Sequence, residues 1–449
     1  MTKVSFISLG CSKNLVDTEV MLHTLHKGGY EVTFETSEAE IIIINTCGFI
    51  ESAKKEAIDN ILDAEELKKW GKCKHIIATG CLVERYRDQV MDEMPEIEAL
   101  VGVGSLEDIV EACRAVERGE RYTSFKNKNS SKLGGGRILT TAPHTAYLKI
   151  AEGCDNLCTY CAIPLIRGRM RSRTIEDIVS EAKQLEATGV VELNLIAQDT
   201  SRYGLDIYGE YALARLVRAI TDNTNIPWIR LLYCYPDKIT DELVEELKSN
   251  PRLVKYMDVP IQHISDSVLT RMNRHGGSEI IRDAIKRLRD AVPGITLRTT
   301  AMVGFPGETE EDFEELCRFV KEVRFERFGA FTYSPEEDTV AALMDGQIDE
   351  QLKQDRYDIL MQTQLTVAEE QSLSLVGKTI RVLCDGYDTV AEIYYGRSEA
   401  DAPDVDGKIY FYAPKNKYRG GDFVEVLIEE AIDYDLVGRV QDITERNTK

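Results

Sequence analysis

The chain has no apolar stretch long enough to cross a bilayer, which takes about 20 consecutive apolar residues. Its first residues, MTKVSFISLGCSKN, hold no apolar signal core. A cytoplasmic protein with no membrane partner is expected. Positive charge is in short supply: 55 Lys and Arg stand against 77 Asp and Glu, a net of −22. That argues against broad, salt-driven binding to nucleic acid, which needs Lys and Arg to neutralise phosphates, and is compatible with a basic partner. Histidine is scarce, six residues scattered singly, and none is assigned to a metal. The eleven cysteines are an odd number in a cytosolic-looking chain, which disfavours a disulfide framework and favours metal binding or redox chemistry. Five of them, Cys73, Cys113, Cys234, Cys317 and Cys384, have no motif around them and read as structural.

What is present is material for several buried cores: 449 residues, 43% hydrophobic and 29% charged. Residues 1–122 read as an α/β domain, with strands around Val4–Leu9, Ile41–Asn45 and Ile76–Thr79 alternating with helical stretches, a pattern that implies a parallel sheet. Residues 123–139 read as a solvated linker, with four positive charges between Thr123 and Arg137 and no negative one. Residues 140–372 resume the alternation on a larger scale. Six βα units suit a barrel or partial barrel of parallel strands, with the site at the strand C-terminal ends; a doubly wound sheet is the competing architecture. Residues 373–449 change to short strands between Gly, Pro and Asp turns, the pattern of a small antiparallel β-barrel of the oligonucleotide-binding type. From Leu375 onward this part carries ten Lys and Arg against fifteen Asp and Glu.

Three cysteines close strand candidates in the first domain: VSFISLGC ends in Cys11, IIIINTC in Cys47 and HIIATGC in Cys81. A single strand-end thiol is most economically a small core residue. Three in consecutive, similarly built units are different, because the strand C-termini of an open parallel sheet share one edge, where ligands bind. The three thiols can therefore converge.

A second set is denser. AEGCDNLCTYCAIP places Cys154, Cys158 and Cys161 as C-x3-C-x2-C directly after the strand AYLKIA. Three thiolates on one tight loop can hold three corners of a cubane iron–sulfur cluster and leave the fourth iron open to an exogenous ligand. A structural zinc site normally needs four protein ligands, and no histidine or fourth cysteine lies nearby. The same lack weighs against a non-catalytic iron–sulfur protein that binds RNA or senses redox state.

C-x3-C-x2-C with an aromatic residue, Tyr160, before its last cysteine resembles the signature of radical S-adenosylmethionine (SAM) enzymes. The resemblance implies that the open iron chelates the amino and carboxylate groups of SAM, and that one electron then cleaves it to methionine and a 5′-deoxyadenosyl radical. Together with the three N-terminal cysteines and the C-terminal barrel (the TRAM module), the whole chain is similar to the methylthiotransferases of this superfamily. In that family the residues matching Cys11, Cys47 and Cys81 hold a second 4Fe–4S cluster that delivers or relays sulfur. One branch modifies an adenosine beside the tRNA anticodon (the MiaB type). The other modifies an aspartate of protein twelve of the small ribosomal subunit (the RimO type). GCSKNLVDTE resembles the ribosomal-protein branch, since the tRNA branch typically reads Gln-Met where this chain has Ser12-Lys13; IAQDTSRYG and VPIQHIS point the same way. An acidic C-terminal barrel, a poor phosphate binder, suits a basic ribosomal protein.

The implied reaction replaces a β-C–H of the aspartate with β-C–SCH3, consuming two SAM, one as radical source and one as methyl donor. The implied partners are protein twelve, in preference to tRNA, and a low-potential electron donor such as flavodoxin or ferredoxin; a monomer is expected. Gln198 and Asp199 end the second strand of the expected barrel, where related enzymes place a polar group on the methionine amine. In VGFPGETEEDF, Gly304 and Gly307 would allow a ligand to approach closely, while Thr309 reads as a helix N-cap followed by acids. Arg167, Arg169, Arg171 and Arg173 form either an ion-paired face or a hold on a substrate or SAM carboxylate.

Overall fold

The structure, a computed structural model, describes residues 1–440; residues 441–449, the end of the expected C-terminal barrel, lie outside them. Ile41–Thr46 is the centre of the first sheet, and all four isoleucines are fully buried. Alternate side chains of a strand point to opposite faces, and the run feeds two cores. Ile42 and Ile44 pack with Ala57, Ile61 and Ala64 of the helix Glu51–Trp70. Ile41 and Ile43 pack on the other face with Met21 and Leu25 of the helix Ser12–Lys27. A strand covered on both faces has no polar side to show, which is why the sequence reads as an unbroken apolar run.

All strands of this sheet are parallel, in the spatial order Glu31–Val32, Lys3–Ser8, Ile41–Thr46, His75–Gly80, Ala99–Val101, Tyr122–Ser124. The order reverses between Lys3–Ser8 and Ile41–Thr46, and ligands of open α/β sheets bind at such a switch point. Cys11 and Cys47 follow those two strands.

The second sheet is also parallel, with strands Thr145–Lys149, Glu192–Ile196, Trp228–Leu231, Leu253–Asp258, Thr296–Val303 and Arg327–Thr332. Its spatial order is the sequence order, so the chain winds one way only. This is the partial barrel, not the doubly wound alternative. Its helices bury one face each; Leu213, Leu216, Val217 and Ile220 of Leu213–Asn223 form such a stripe. The stretch DSVLTRMNRHGGSEIIRDAIKRLRDA forms two helices, Asp266–Arg271 and Gly277–Ala291. Between them Asn273 and Gly276 take left-handed backbone angles, φ 56° and 92°.

The helix Glu350–Leu373 leads to a closed five-stranded barrel of Thr379–Asp388, Ile393–Arg397, Ile409–Tyr412, Asp435–Val440 and Phe423–Ile432. Every pairing is antiparallel except Ile409–Tyr412 with Asp435–Val440. The segment expected to be a solvated linker is instead pinned between the two α/β parts. Arg137 is buried, donating from Nε to Glu19 at 3.0 Å and from Nη1 to Glu181 at 2.8 Å and to the Tyr147 carbonyl at 2.6 Å. The charge that suggested solvation is used in a buried ion pair. Among the described residues no helix is long and apolar enough to cross a membrane.

Candidate active site

The three strand-end cysteines of the first sheet are each joined to a glycine, and the glycines let their loops touch. A Cβ on Gly10 would stand 2.7 Å from Cys47 Cβ and 2.8 Å from its sulfur. On Gly48 it would stand 2.6 Å from Leu82 Cα, and on Gly80 2.4 Å from the Thr46 carbonyl oxygen. Gly10 and Gly80 also hold φ of +83° and +96°, which L side chains disfavour. Two asparagines fasten the loops: Asn14 Nδ2 donates to the Leu9 and Asn45 carbonyls at 2.7 and 3.1 Å, and Asn45 Nδ2 to the Asn14 carbonyl at 2.8 Å. Cys11 then caps the helix Ser12–Lys27, and Cys81 opens the helix Cys81–Glu93.

The second triad lies on the loop after Thr145–Lys149. Cys154 donates its N–H to the Gly168 carbonyl at 3.1 Å and Cys161 to that of Cys158 at 3.0 Å. The break between the helices Asp266–Arg271 and Gly277–Ala291 anchors the loop. Thr159 bonds Met272 and Arg271 at 3.1 and 2.8 Å, and Asn273 Nδ2 donates to the Leu157 carbonyl at 2.9 Å. Tyr235 Oη is 3.3 Å from Cys158 Sγ, and the Arg274 guanidinium sits 4.1 Å over the Tyr235 ring. Asn156 Nδ2 reaches both Cys154 Sγ, at 3.5 Å, and Asp199, at 2.7 Å.

The first triad touches the segment that follows the second. Cys81 packs with Ala162 and Ile166, immediately past Cys161. Arg167, fully enclosed, donates from Nη2 to Cys81 Sγ at 3.3 Å and to Asn14 at 3.0 Å, and from Nη1 to Asp17 at 2.5 Å. Lys149 bonds Asp17 and Glu152, and Gln198 Nε2 donates to Glu152 at 2.6 Å. Burial favours a neutral Glu152, but Lys149 and then Arg167 hold its carboxyl down to about 2. One ionic network therefore joins the helix after Cys11 to the loop and strand end beside Cys154.

Among the described residues no three His, Cys, Asp or Glu side chains stand close enough to hold one metal ion, yet the thiols of each triad act on one another. Burial pushes the Cys81 thiol up to about 12, with Arg167 opposing and Cys11 and Cys47 adding to the rise. Burial, then Cys158 and Cys154, likewise raise Cys161, and burial raises Cys154 to about 11. Desolvation also works on Cys11, but Lys13 and Arg167 outweigh it and hold that thiol below its ordinary value. The Cys81, Cys154 and Cys161 thiols, costly to ionise without a partner, are suited to a cationic group that would bind them as thiolates.

Of the other expected residues, Gln198 points an unpartnered, buried Oε1 away from its Glu152 bond. Asp199 is fully buried, pushed up by burial, and bonded to Ser201 and Asn156. Tyr160 stands edge-on to Phe305, ring centres 6.4 Å apart. The missing side chains of Gly304 and Gly307 face Lys353 and Arg271, at 2.3 and 2.7 Å from a built Cβ, so protein packing already accounts for both glycines. Thr309 caps its helix with Asp312 in a capping box. The four arginines divide: Arg167 and Arg173 are buried in ion pairs, Arg171 bonds Ser131, and Arg169 is exposed. Glu152 and Asn156 lie within the cysteine stretch AEGCDNLCTYCAIP but are not singled out by its spacing; Lys149, Tyr235 and Arg274 carry no motif, and only their places at strand ends and loop breaks mark them.

A parallel partial barrel with C-x3-C-x2-C on its first loop defines a radical SAM enzyme, a class that works with a 4Fe–4S cluster and SAM. Family models match in the same places: the Radical SAM superfamily over residues 148–320, the Uncharacterized protein family UPF0004 over 3–102 and the TRAM domain over 376–440. Two similar proteins, both called ribosomal protein uS12 methylthiotransferase RimO, come from Thermoanaerobacter sp. (strain X514) and Clostridium botulinum (strain Eklund 17B / Type B). The first is 49% identical over 98% of this chain and 100% of its own, the second 48% over 98% of each. The chain belongs to the RimO family of radical SAM methylthiotransferases, which are transferases. Among solved structures, the radical SAM methyltransferase TsrM from Kitasatospora setae, with cobalamin and a [4Fe-4S] cluster bound, matches 76% of this chain and 77% of its own at TM-score 0.56. It is 15% identical, a likeness of fold.

Proposed function

We propose that this chain places a methylthio group on the β-carbon of an aspartyl residue of ribosomal protein uS12, the protein named for its relatives. Cys154, Cys158 and Cys161 would hold one 4Fe–4S cluster and Cys11, Cys47 and Cys81 a second, with two SAM consumed per turnover. The observation that carries this reading is the bond of Arg167, at the end of the short helix after the second triad, to Cys81 of the first. With SAM and the cluster bound at the second triad, this pair would supply, on one-electron reduction, a carbon radical able to take hydrogen from an unactivated C–H bond. The protein's own groups bind and orient. Gln198, fixed by Glu152 and Lys149, offers its free Oε1 to the SAM ammonium. Asp199 steadies Asn156 and through it the Cys154 sulfur. Tyr160 on Phe305, inside the Gly304–Gly307 turn, walls the site against water. The electron comes from a low-potential cytoplasmic donor of the flavodoxin or ferredoxin kind.

Anaerobic reconstitution with iron and sulfide, then mass spectrometry of uS12 and of tRNA after incubation with SAM and reductant, tests the reading. A methylthio mass gain on uS12 alone is expected. A gain on tRNA with none on uS12 overturns the substrate, and modification of neither overturns the reading as a whole.

A further inference from the structure

Lys13 is placed where three physical rules disfavour a lysine. It is only 7% exposed. It lies in the first turn of the helix Ser12–Lys27, which contains no acid, at the helix end where the dipole repels cations. Among the described residues its ammonium pairs with no carboxylate; it rests 3.3 Å from the centre of the Tyr233 ring. Tyr233 itself holds a left-handed φ of 63°, a strain that concentrates at functional sites. Its neighbour Ser12 is also unsatisfied: its Oγ is buried with no hydrogen-bond partner.

Ser12 and Tyr233, the ring on which the Lys13 ammonium rests, border a cavity of about 510 Å³ that opens between all three parts of the chain, lined also by Cys11, Asp258, Arg298 and Asp404. Its other charges are already matched. Asp258 accepts from Arg298 at 3.0 Å and from the Tyr233 N–H at 3.0 Å, and Asp404 accepts from Tyr147 at 2.8 Å. Cys11 and Asp258 act on the Lys13 ammonium, but Asp258 is already paired with Arg298, and among the described residues neither the ammonium nor the buried Ser12 hydroxyl has a carboxylate within bonding distance.

We infer that Ser12 Oγ and Lys13 Nζ receive the carboxylate of the substrate aspartate and so set the enzyme's preference for an acidic side chain. A charge-assisted pair in a desolvated pocket gives both orientation and discrimination, and the bond holds the β-carbon next to the thiol end of the first triad. This rests on the aspartate reading above and adds to it the residues that choose the substrate. Lys13 is a specificity residue and takes no part in SAM cleavage.

The test measures binding of a synthetic uS12 peptide containing the target aspartate, and of its Asp→Asn counterpart, to the reconstituted holoenzyme. The wild type is expected to favour the aspartyl peptide by at least about tenfold. Lys13→Met should abolish that preference by weakening the aspartyl peptide alone, with iron content and SAM affinity at wild-type levels. Lys13→Arg should restore part of it, and Lys13→Gln serves if the methionine variant does not fold. An unchanged Asp/Asn ratio in the variants, or no preference in the wild type, overturns the inference. So does loss of iron at the first triad or of SAM affinity, which would assign the ammonium to the cluster or to the SAM carboxylate. A wild-type enzyme that modifies tRNA and not uS12 instead removes the aspartate reading itself, before any variant is made.

Discussion

Gly10 lacks a side chain because Cys47 fills the space: a Cβ there would lie 2.7 Å from Cys47 Cβ, and the backbone φ is +83°. Alanine in the left-handed region costs about 1–2 kcal/mol, and the overlap with Cys47 must be relieved by moving one loop away from the other. Neither strand is disturbed, since Ile41–Ile44 and Val4 lie below the site in their own cores. Gly10→Ala is therefore expected to stay folded with a thermal midpoint a few degrees lower. On the two-cluster reading proposed above, it should fail to bind iron at Cys11, Cys47 and Cys81 while binding it at Cys154, Cys158 and Cys161. Iron analysis with electron paramagnetic resonance of the reduced protein separates the two, and a full iron complement would show that the glycine's contact with Cys47 does not position the ligand.

The loop Ser398–Asp406 of the C-terminal barrel shows how elements are fastened together, and here the acidity noted in the sequence has a second use. Asp401 binds Arg327, Asp406 accepts from Tyr256 at 2.7 Å, and Asp385 binds His144 at 2.9 Å. Several acids that suggested a basic partner are thus turned inward against the partial barrel. Arg397 is the centre of this contact, 2.8 Å from both Glu192 and Asp385, with Glu192 fully buried. Removing one member of a buried ion pair strands the other, at about 3–5 kcal/mol; Arg230, 3.2 Å from Glu192, keeps the cost near the lower end. Arg397→Met should lower unfolding free energy by about 3 kcal/mol in chemical denaturation, and a change under about 0.5 kcal/mol, the range of ordinary surface substitutions, would show the pair to be idle. Such contacts are not legible in a sequence, because Glu192 and Arg397 are joined only by tertiary packing. What is legible is what a strand or loop declares locally. Ile41–Ile44, the three strand-end cysteines and C-x3-C-x2-C are written in consecutive residues. The two- and three-residue strands Glu31–Val32, Ala99–Val101 and Tyr122–Ser124 are too short to carry a period, and Arg137 looks solvated until Glu19 and Glu181 surround it.

At the scale of the molecule, two parallel sheets bring the loops at their strand C-terminal ends together, and each contributes one cysteine triad. The sheets have separate cores, so a ligand can be removed from one without unfolding the other. The triads are nevertheless coupled through Arg167, which touches Cys81 and shares Glu152 with Lys149 and Gln198. This arrangement predicts a division of labour. Cys47 is half-buried and packs against Gly10 of the first sheet's own loops, whereas the residues proposed to orient SAM belong to the second. Cys47→Ala should abolish methylthio transfer to uS12, read by mass spectrometry, while deoxyadenosine formation from SAM persists within about threefold of wild type, a change in barrier below about 1 kcal/mol. Cys158→Ala should abolish both. Were Cys47→Ala to lose both activities with its fold and its second-triad iron intact, the Arg167 network would be transmitting the state of one triad to the other. The two sheets would then form one catalytic unit instead of a radical source and a sulfur donor placed face to face.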